Sequence, residues 1–147
     1  MKKVVLITGG FDPIHSGHLE YIRAAKNKGD VLVVGLQSDE WLQNKKGVYF
    51  LPFEERCKVL EAVKYVDKVI SFNDSDGTAY RAILKVKEMY NGDTIIFANG
   101  GDRTPKSAPP KESNIQGVSY LWGVGGEKTN SSSDILKTYL DAVNKNK

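Results

Sequence analysis

Val4-Val5-Leu6-Ile7, followed by Gly9-Gly10-Phe11-Asp12-Pro13-Ile14-His15-Ser16-Gly17-His18, is the stretch that decides how this chain folds. Four consecutive apolar, mostly β-branched residues read as a strand buried on both faces. The glycines and Pro13 break that run, and Leu19, Ile22 and Ala25 then recur at helical spacing. A buried strand turning directly into a helix is the first half of a βαβ unit. The turn also carries chemistry. His15 and His18 are the chain's 2 histidines, and an i, i+3 pair at a helix start can aim both rings at one anion, where the helix N-terminus already attracts negative charge. An imidazole offers an N–H donor to phosphate oxygens whether charged or neutral. Gly9 and Gly10 are expected to let the backbone turn sharply and approach a phosphate, and Gly17 to do the same at the helix start. The plainer reading is a capping histidine beside an exposed one. A zinc site would need a third ligand at a usual spacing, which the sequence lacks, so no protein metal site is expected.

Outward from this turn, the alternation continues. Strand character recurs at Val31–Leu36, Val69–Phe72, Thr94–Ala98 and Val118–Trp122. Helical spacing recurs at Phe53, Cys57 and Leu60 behind Pro52, at Ala79, Ile83, Val86 and Tyr90 before Asn91-Gly92, and at Ile135, Leu136, Tyr139 and Val143 behind Ser131–Asp134. Continuous apolar strands alternating with helices imply an α/β fold: a Rossmann-like doubly wound parallel sheet of about five strands with helices on both faces. Ligands bind such sheets beyond the carboxyl ends of the strands, so residues 9–18, 99–103 and 123–133 should meet there. Gln37–Leu51 and Thr104–Gly117 lack periodicity and are long for plain connections, which favours active-site loops. With no repeat and no second boundary, residues 1–147 read as a single domain.

Of the 147 residues 27% are charged and the net charge is +3, a mild basic excess that suits a small anionic ligand; no lysine or arginine block suggests nucleic acid. Lys145 and Lys147 read as a solvated tail. The single cysteine, Cys57, excludes an intrachain disulfide and sits at an apolar helical position, as inert packing does. Lys2-Lys3 precede only a strand-length apolar run, unlike a secretory leader. No stretch approaches the roughly 18 apolar residues that span a bilayer. A cytoplasmic domain with no nucleic-acid or membrane partner is the expectation.

The combined pattern Gly9-x-Phe11-Asp12-x-x-His15-x-Gly17-His18 closely resembles the signature of the nucleotidyltransferase superfamily, which includes the cytidylyltransferases and the small adenylyltransferases. The likeness runs over nearly the whole chain. Ser38-Asp39-Glu40 with Lys45-Lys46-Gly47 resembles the lysine loop of the glycerol-3-phosphate cytidylyltransferase branch, and Pro52–Asp67, with Glu55-Arg56 and Tyr65-Val66-Asp67, the helix after it. Gly100-Gly101-Asp102 resembles the fourth-strand motif, and Ser131-Ser132-Ser133 the motif opening the last helix. The resemblance implies nucleotidyl transfer. An acceptor phosphate oxygen attacks the α-phosphorus of a nucleoside triphosphate and magnesium pyrophosphate leaves. With no covalent enzyme intermediate, positioning and charge stabilisation carry the catalysis. On that resemblance His15, His18 and Lys46 are catalytic. Gly9, Gly10, Phe11, Asp12 and Gly17 bind the nucleotide, with Asp102 near its base or ribose and Ser131 and Ser132 on the β- and γ-phosphates. Lys45, Arg56, Arg103 and Lys128 fall to the acceptor phosphate. CTP or ATP is the implied donor, Mg2+ arrives with it, the acceptor is a small phosphorylated compound, and a homodimer is expected.

Two segments depart from the pattern. The glycerol-3-phosphate branch carries an Arg-Thr pair shortly before its serine motif, but residues 125–130 read Gly-Gly-Glu-Lys-Thr-Asn, leaving Lys128 or Arg103 as the available cation. The heptose-phosphate adenylyltransferase branch shares the Gly-Gly-Asp motif and lacks that arginine as well. Thr104–Gln116 matches neither branch and is expected to shape the acceptor pocket. The leading expectation is cytidylyl transfer from CTP to a small phosphorylated polyol or sugar, glycerol-3-phosphate-like. The alternatives are adenylyl transfer from ATP to a sugar phosphate, heptose-phosphate-like, and a non-catalytic nucleotide-binding module. Plainer roles exist for single residues: a solvated turn for Lys45-Lys46, surface ion pairing for Arg56, helix capping for Ser131–Ser133, an internal ion pair for Asp102-Arg103, and packing for Trp41, Tyr120 and Trp122.

Overall fold

The computed structural model describes residues 1–101, 103–126 and 131–145. Its strands β1 (Lys3–Gly9), β2 (Val31–Leu36), β3 (Lys68–Ile70), β4 (Thr94–Gly100) and β5 (Val118–Val124) form one parallel sheet in the order β3-β2-β1-β4-β5. Between and after them run α1 (Ser16–Lys26), α2 (Asp39–Lys46), α3 (Phe53–Glu61), α4 (Tyr80–Met89), α5 (Pro110–Ser113) and α6 (Ser132–Lys145). The α/β class and the five-stranded parallel sheet expected from the sequence are therefore present.

Alternate residues of each strand point to opposite faces, and helices cover both. Val5 and Ile7 pack with Ile22 and Ala25 of α1 and Leu60 of α3. Val4 and Leu6 pack with Ala82, Ile83 and Val86 of α4. Val4 to Ile7 are wholly buried, which is why β1 reads as an unbroken apolar run rather than an alternating one. Each such side chain contributes about 1.5–3 kcal/mol of burial. The last helix is less covered: Tyr139, Leu140 and Val143 of α6 are exposed. Among the described residues, no helix is long and apolar enough to cross a membrane.

The chain leaves β1 for β2 and β3 on one side, then returns through α4 to β4 on the other side of β1. Strand order therefore reverses between β1 and β4, and loops diverge there to leave a crevice at the carboxyl ends. The β4–β5 ladder is interrupted by a bulge between Ala98 and Gly100. Asn99 Nδ2 donates to Leu121 O (3.2 Å) across that break.

The sequence did not predict α2. Its ends are well specified: the Ser38 Oγ accepts from Trp41 N (3.1 Å), Asp39 and Glu40 stand in the first turn, Lys45 and Lys46 in the last, and Gly47 closes it in the left-handed region at φ 86. Only Leu42 is buried, so the helix has no apolar stripe for periodicity to detect. The strand predicted at Val69–Phe72 lies at Lys68–Ile70, where its pairing with β2 runs out.

Candidate active site

A cleft of about 740 Å³ opens at the carboxyl ends of β1, β2 and β4, within the roughly 300–1,000 Å³ range of ligand pockets. His15, His18 and Tyr21 line it from α1, Trp41, Lys45 and Lys46 from α2, Arg103, Ser107 and Glu112 from the segment after β4, and Ser131–Ser133 from the start of α6.

The turn after β1 is built differently from the expectation. The left-handed backbone falls on Phe11 (φ 50) and on neither Gly9 nor Gly10. That conformation costs a non-glycine residue about 1–2 kcal/mol. It is offset by burying the Phe11 ring, which meets the His18 ring edge-on with centroids 5.1 Å apart. Gly10 is required by packing, because a Cβ there would lie 2.6 Å from Leu42 Cδ2 of α2. Gly17 is required by His15, whose Cε1 would lie 2.9 Å from an added Cβ.

The two histidines form a reciprocal cap on α1. Gly17 N donates to His15 Nδ1 (3.0 Å), and His15 N donates to His18 Nδ1 (3.2 Å). Their rings stack with centroids 3.9 Å apart. Because each Nδ1 accepts a backbone proton, each neutral ring carries its own proton on Nε2. The backbone thus fixes both rings in the tautomer that donates from the far side.

Asp12 is only 2% exposed, and its carboxylate accepts from Phe50 N (2.5 Å) and Leu51 N (2.8 Å). It therefore binds the segment after α2 to the turn, and Asp12 stands among the residues that line the cleft. Lys46 Nζ donates to Asp12 O (3.3 Å), and Lys45 Nζ lies over the Trp41 ring, 4.7 Å from its centroid. Both lysines thus reach the cleft from the carboxyl end of α2, where the helix dipole favours them.

Arg56 needs a larger correction. It was expected at the acceptor phosphate, or else on the surface, and it is in neither place. Its side chain has 0% exposure. Nε donates to Leu51 O (2.9 Å), Nη1 to Gly10 O (3.0 Å) and Gln37 O (2.8 Å), and Nη2 to Asp39 Oδ1 (2.6 Å). The planar fork joins three segments around the cleft, the turn after β1, residues 37–39 and Leu51, and Arg56 itself is not among the lining residues.

At the start of α6, Ser131 Oγ accepts from Asp134 N (3.0 Å) and Ser132 Oγ donates to Pro13 O (2.8 Å). Both hydroxyls are thus engaged in capping and tethering. The helix's first backbone amides, which have no intrahelical acceptor, are what it presents to an anion. Asp102 and Lys128 lie outside the described residues.

Sequence reasoning missed several lining residues. Tyr21 donates from its hydroxyl to Ala98 O (2.5 Å), and burial pushes its pKa upward. Asn99 and Gln37 are buried at the strand ends, and Glu112 is buried opposite Arg103. For Asn99 and Gln37 the only sequence signal was position just after a predicted strand; for Tyr21 and Glu112 there was none.

A family model described as Cytidylyltransferase-like matches residues 6–129. The chain belongs to the cytidylyltransferase-like family. Two relatives of this cytidylyltransferase-like chain are proteins called Bifunctional protein HldE. That of Geobacter metallireducens is 35% identical over 144 residues, covering 94% of this chain and 28% of the relative. That of Sulfurimonas denitrificans is 41% identical over 133 residues, covering 87% and 26%. The chain thus spans little more than a quarter of the first relative's length, 28%. The lipopolysaccharide core biosynthesis protein from Thermoplasma volcanium GSS1 shares the fold, with a TM-score of 0.71 at 23% identity over 88% of this chain and 100% of that one.

Proposed function

We propose that the protein transfers an adenylyl group from ATP to the phosphate of a sugar phosphate, releasing pyrophosphate. The observation that carries nucleotidyl transfer is the His15–His18 pair, two stacked rings whose Nδ1 atoms are taken by backbone amides, which leaves Nε2 as each ring's donor at a helix N-terminus lining the cleft. An oxygen of the acceptor phosphate attacks the α-phosphorus, and the bond from that phosphorus to the β-phosphate bridging oxygen breaks. The two Nε2–H groups stabilise the charge that grows on the α-phosphate oxygens. Lys46 neutralises phosphate charge from the end of α2. The first amides of α6 hold the β- and γ-phosphates. Magnesium enters as part of the nucleotide substrate. Lys45 and Arg103 receive the acceptor phosphate.

ATP is preferred over CTP on two grounds. The relatives bear the HldE name, and residues 125–130 lack the arginine of the glycerol-3-phosphate branch, as the heptose-phosphate adenylyltransferase branch does. A CTP reading retains one feature, the Lys45-Lys46-Gly47 helix end that resembles the cytidylyltransferase lysine loop. Calorimetric titration separates the two. MgATP is expected to bind at least tenfold more tightly than MgCTP, a difference of about 1.4 kcal/mol. The reverse order returns the chain to the cytidylyl reading.

A further inference from the structure

The segment between β4 and β5 matches neither branch of the family, and its sequence gives it no apolar stripe. Of residues 104–117 only Ala108 and Glu112 are buried. A carboxylate is thus one of the two buried side chains of a largely exposed loop. Burying a charge is costly unless it is paired and hydrogen-bonded, and Glu112 is both. Its Oε2 accepts from Ala79 N (2.8 Å), and its Oε1 faces Arg103 Nη2 in an ion pair.

Ala79 is the N-cap of α4. Its side chain makes no capping bond, and the first turn of the helix holds no acid. Glu112 supplies both from 33 residues away, meeting a free backbone donor and the positive end of the helix together. Its own backbone is held as well: Tyr120 Oη donates to Glu112 O (2.6 Å) and accepts from Ile115 N (3.0 Å). Lys111 Nζ pairs with Asp76 Oδ2 (2.8 Å), in the loop leading to α4. The carboxylate is therefore immobilised by contacts that do not involve Arg103.

Arg103 is the more exposed partner. It follows the Gly100-Gly101 turn, keeps 31% side-chain exposure and lines the cleft. A guanidinium has five donors in a planar fork, so one edge held by a fixed carboxylate leaves another available for a phosphate.

We propose that Glu112 is a positioning residue that holds the Arg103 guanidinium on the α4 side of the cleft, ready to receive the acceptor's phosphate. This rests on the reading of Arg103 as an acceptor residue. The segment that departs from the family pattern thus acts through one carboxylate, by aiming a cation rather than by touching substrate.

The test is a double-mutant cycle of E112Q and R103M. Glutamine keeps an oxygen for Ala79 N and loses the ion pair. E112Q is expected to raise the KM of the sugar phosphate about tenfold, with the KM of ATP unchanged, because orienting one charged partner is worth about a decade. R103M should raise it at least as much, and the double variant should match R103M alone. An independent E112Q factor in the R103M background, or an effect falling on the ATP KM, overturns the proposal. Melting without substrate gives a second readout. R103M leaves a buried charge unpaired and lowers the midpoint, and adding E112Q recovers part of the loss; additive losses overturn the pairing. If E112Q alone does not fold, the double variant, which holds neither charge, is compared with R103M. If the wild type turns over no sugar phosphate, the functional reading fails separately, and inorganic phosphate serves as the probe. Phosphate should then raise the melting midpoint of the wild type more than that of E112Q, and equal or absent shifts overturn the proposal.

Discussion

Replacing Arg56 by methionine removes four hydrogen bonds from a side chain with no exposure while roughly keeping its volume. The Asp39 carboxylate it leaves behind is 28% exposed and can regain water. The carbonyls of Gly10, Gln37 and Leu51 depend on the guanidinium for the bonds described above. Each buried group left unsatisfied costs about 1–3 kcal/mol. Partial relaxation brings the expected total to about 3–5 kcal/mol, the range seen when one partner of a buried pair is removed. In a chain of this size that lowers the melting midpoint by about 10 °C. R56K, with one ammonium in place of a fork, should lose about half as much. Urea denaturation followed by tryptophan fluorescence measures both. A loss below about 1 kcal/mol, joined to a rise in acceptor KM, would refute the buried-strut account and return Arg56 to the acceptor phosphate.

Other substitutions separate chemistry from scaffold. H18A should lower kcat by at least ~100-fold, while its melting midpoint reflects the lost cap bond and the ring contacts with Phe11 and His15, about 1–3 kcal/mol; steady-state rates and calorimetry check the two together. G17A should displace the His15 ring and cost kcat about tenfold or more with an unchanged circular dichroism spectrum, since small misplacements of catalytic groups are expensive. D12N retains one acceptor for the Phe50 and Leu51 amides, so urea denaturation should show a loss of about 1–2 kcal/mol, while the Lys46 bond to the Asp12 carbonyl is kept. The Lys111 ammonium, helped by the Thr78 amide, holds Asp76 down to about 2 from its ordinary 3.8. Its folded value lies below its unfolded one, so its contribution is complete above about pH 4 and fades as pH falls toward 2. D76N should therefore melt below the wild type at pH 6, with the gap closing by pH 2.

Burial periodicity made the sheet legible. Val4–Ile7 is apolar throughout because α1 and α3 cover one face of β1 and α4 the other, and the sequence reports that directly. The histidine pair was equally clear, since both rings act locally at one helix start. The hidden features depend on contacts distant in sequence. Arg56 binds Gly10, 46 residues away, and Glu112 binds Ala79, 33 residues away; no spacing rule marks either. The sharp turn was expected at Gly9 and Gly10, the usual place for one, and its left-handed residue is Phe11. Here Leu42 packing against Gly10 makes the stronger demand. The helix α2 was not legible, because only Leu42 of it is buried and its Ser38 and Gly47 caps specify ends without a buried face.

Pyrophosphate release tests the central claim most directly, with MgATP or MgCTP supplied separately against a panel of aldose and heptose phosphates and glycerol 3-phosphate. The account predicts release with MgATP and a sugar phosphate, one pyrophosphate for each nucleotide-linked sugar formed, and loss of both products in H18A. Release only with MgCTP and glycerol 3-phosphate would contradict the adenylyl assignment, and ATP binding without release across the panel would contradict catalysis at this cleft.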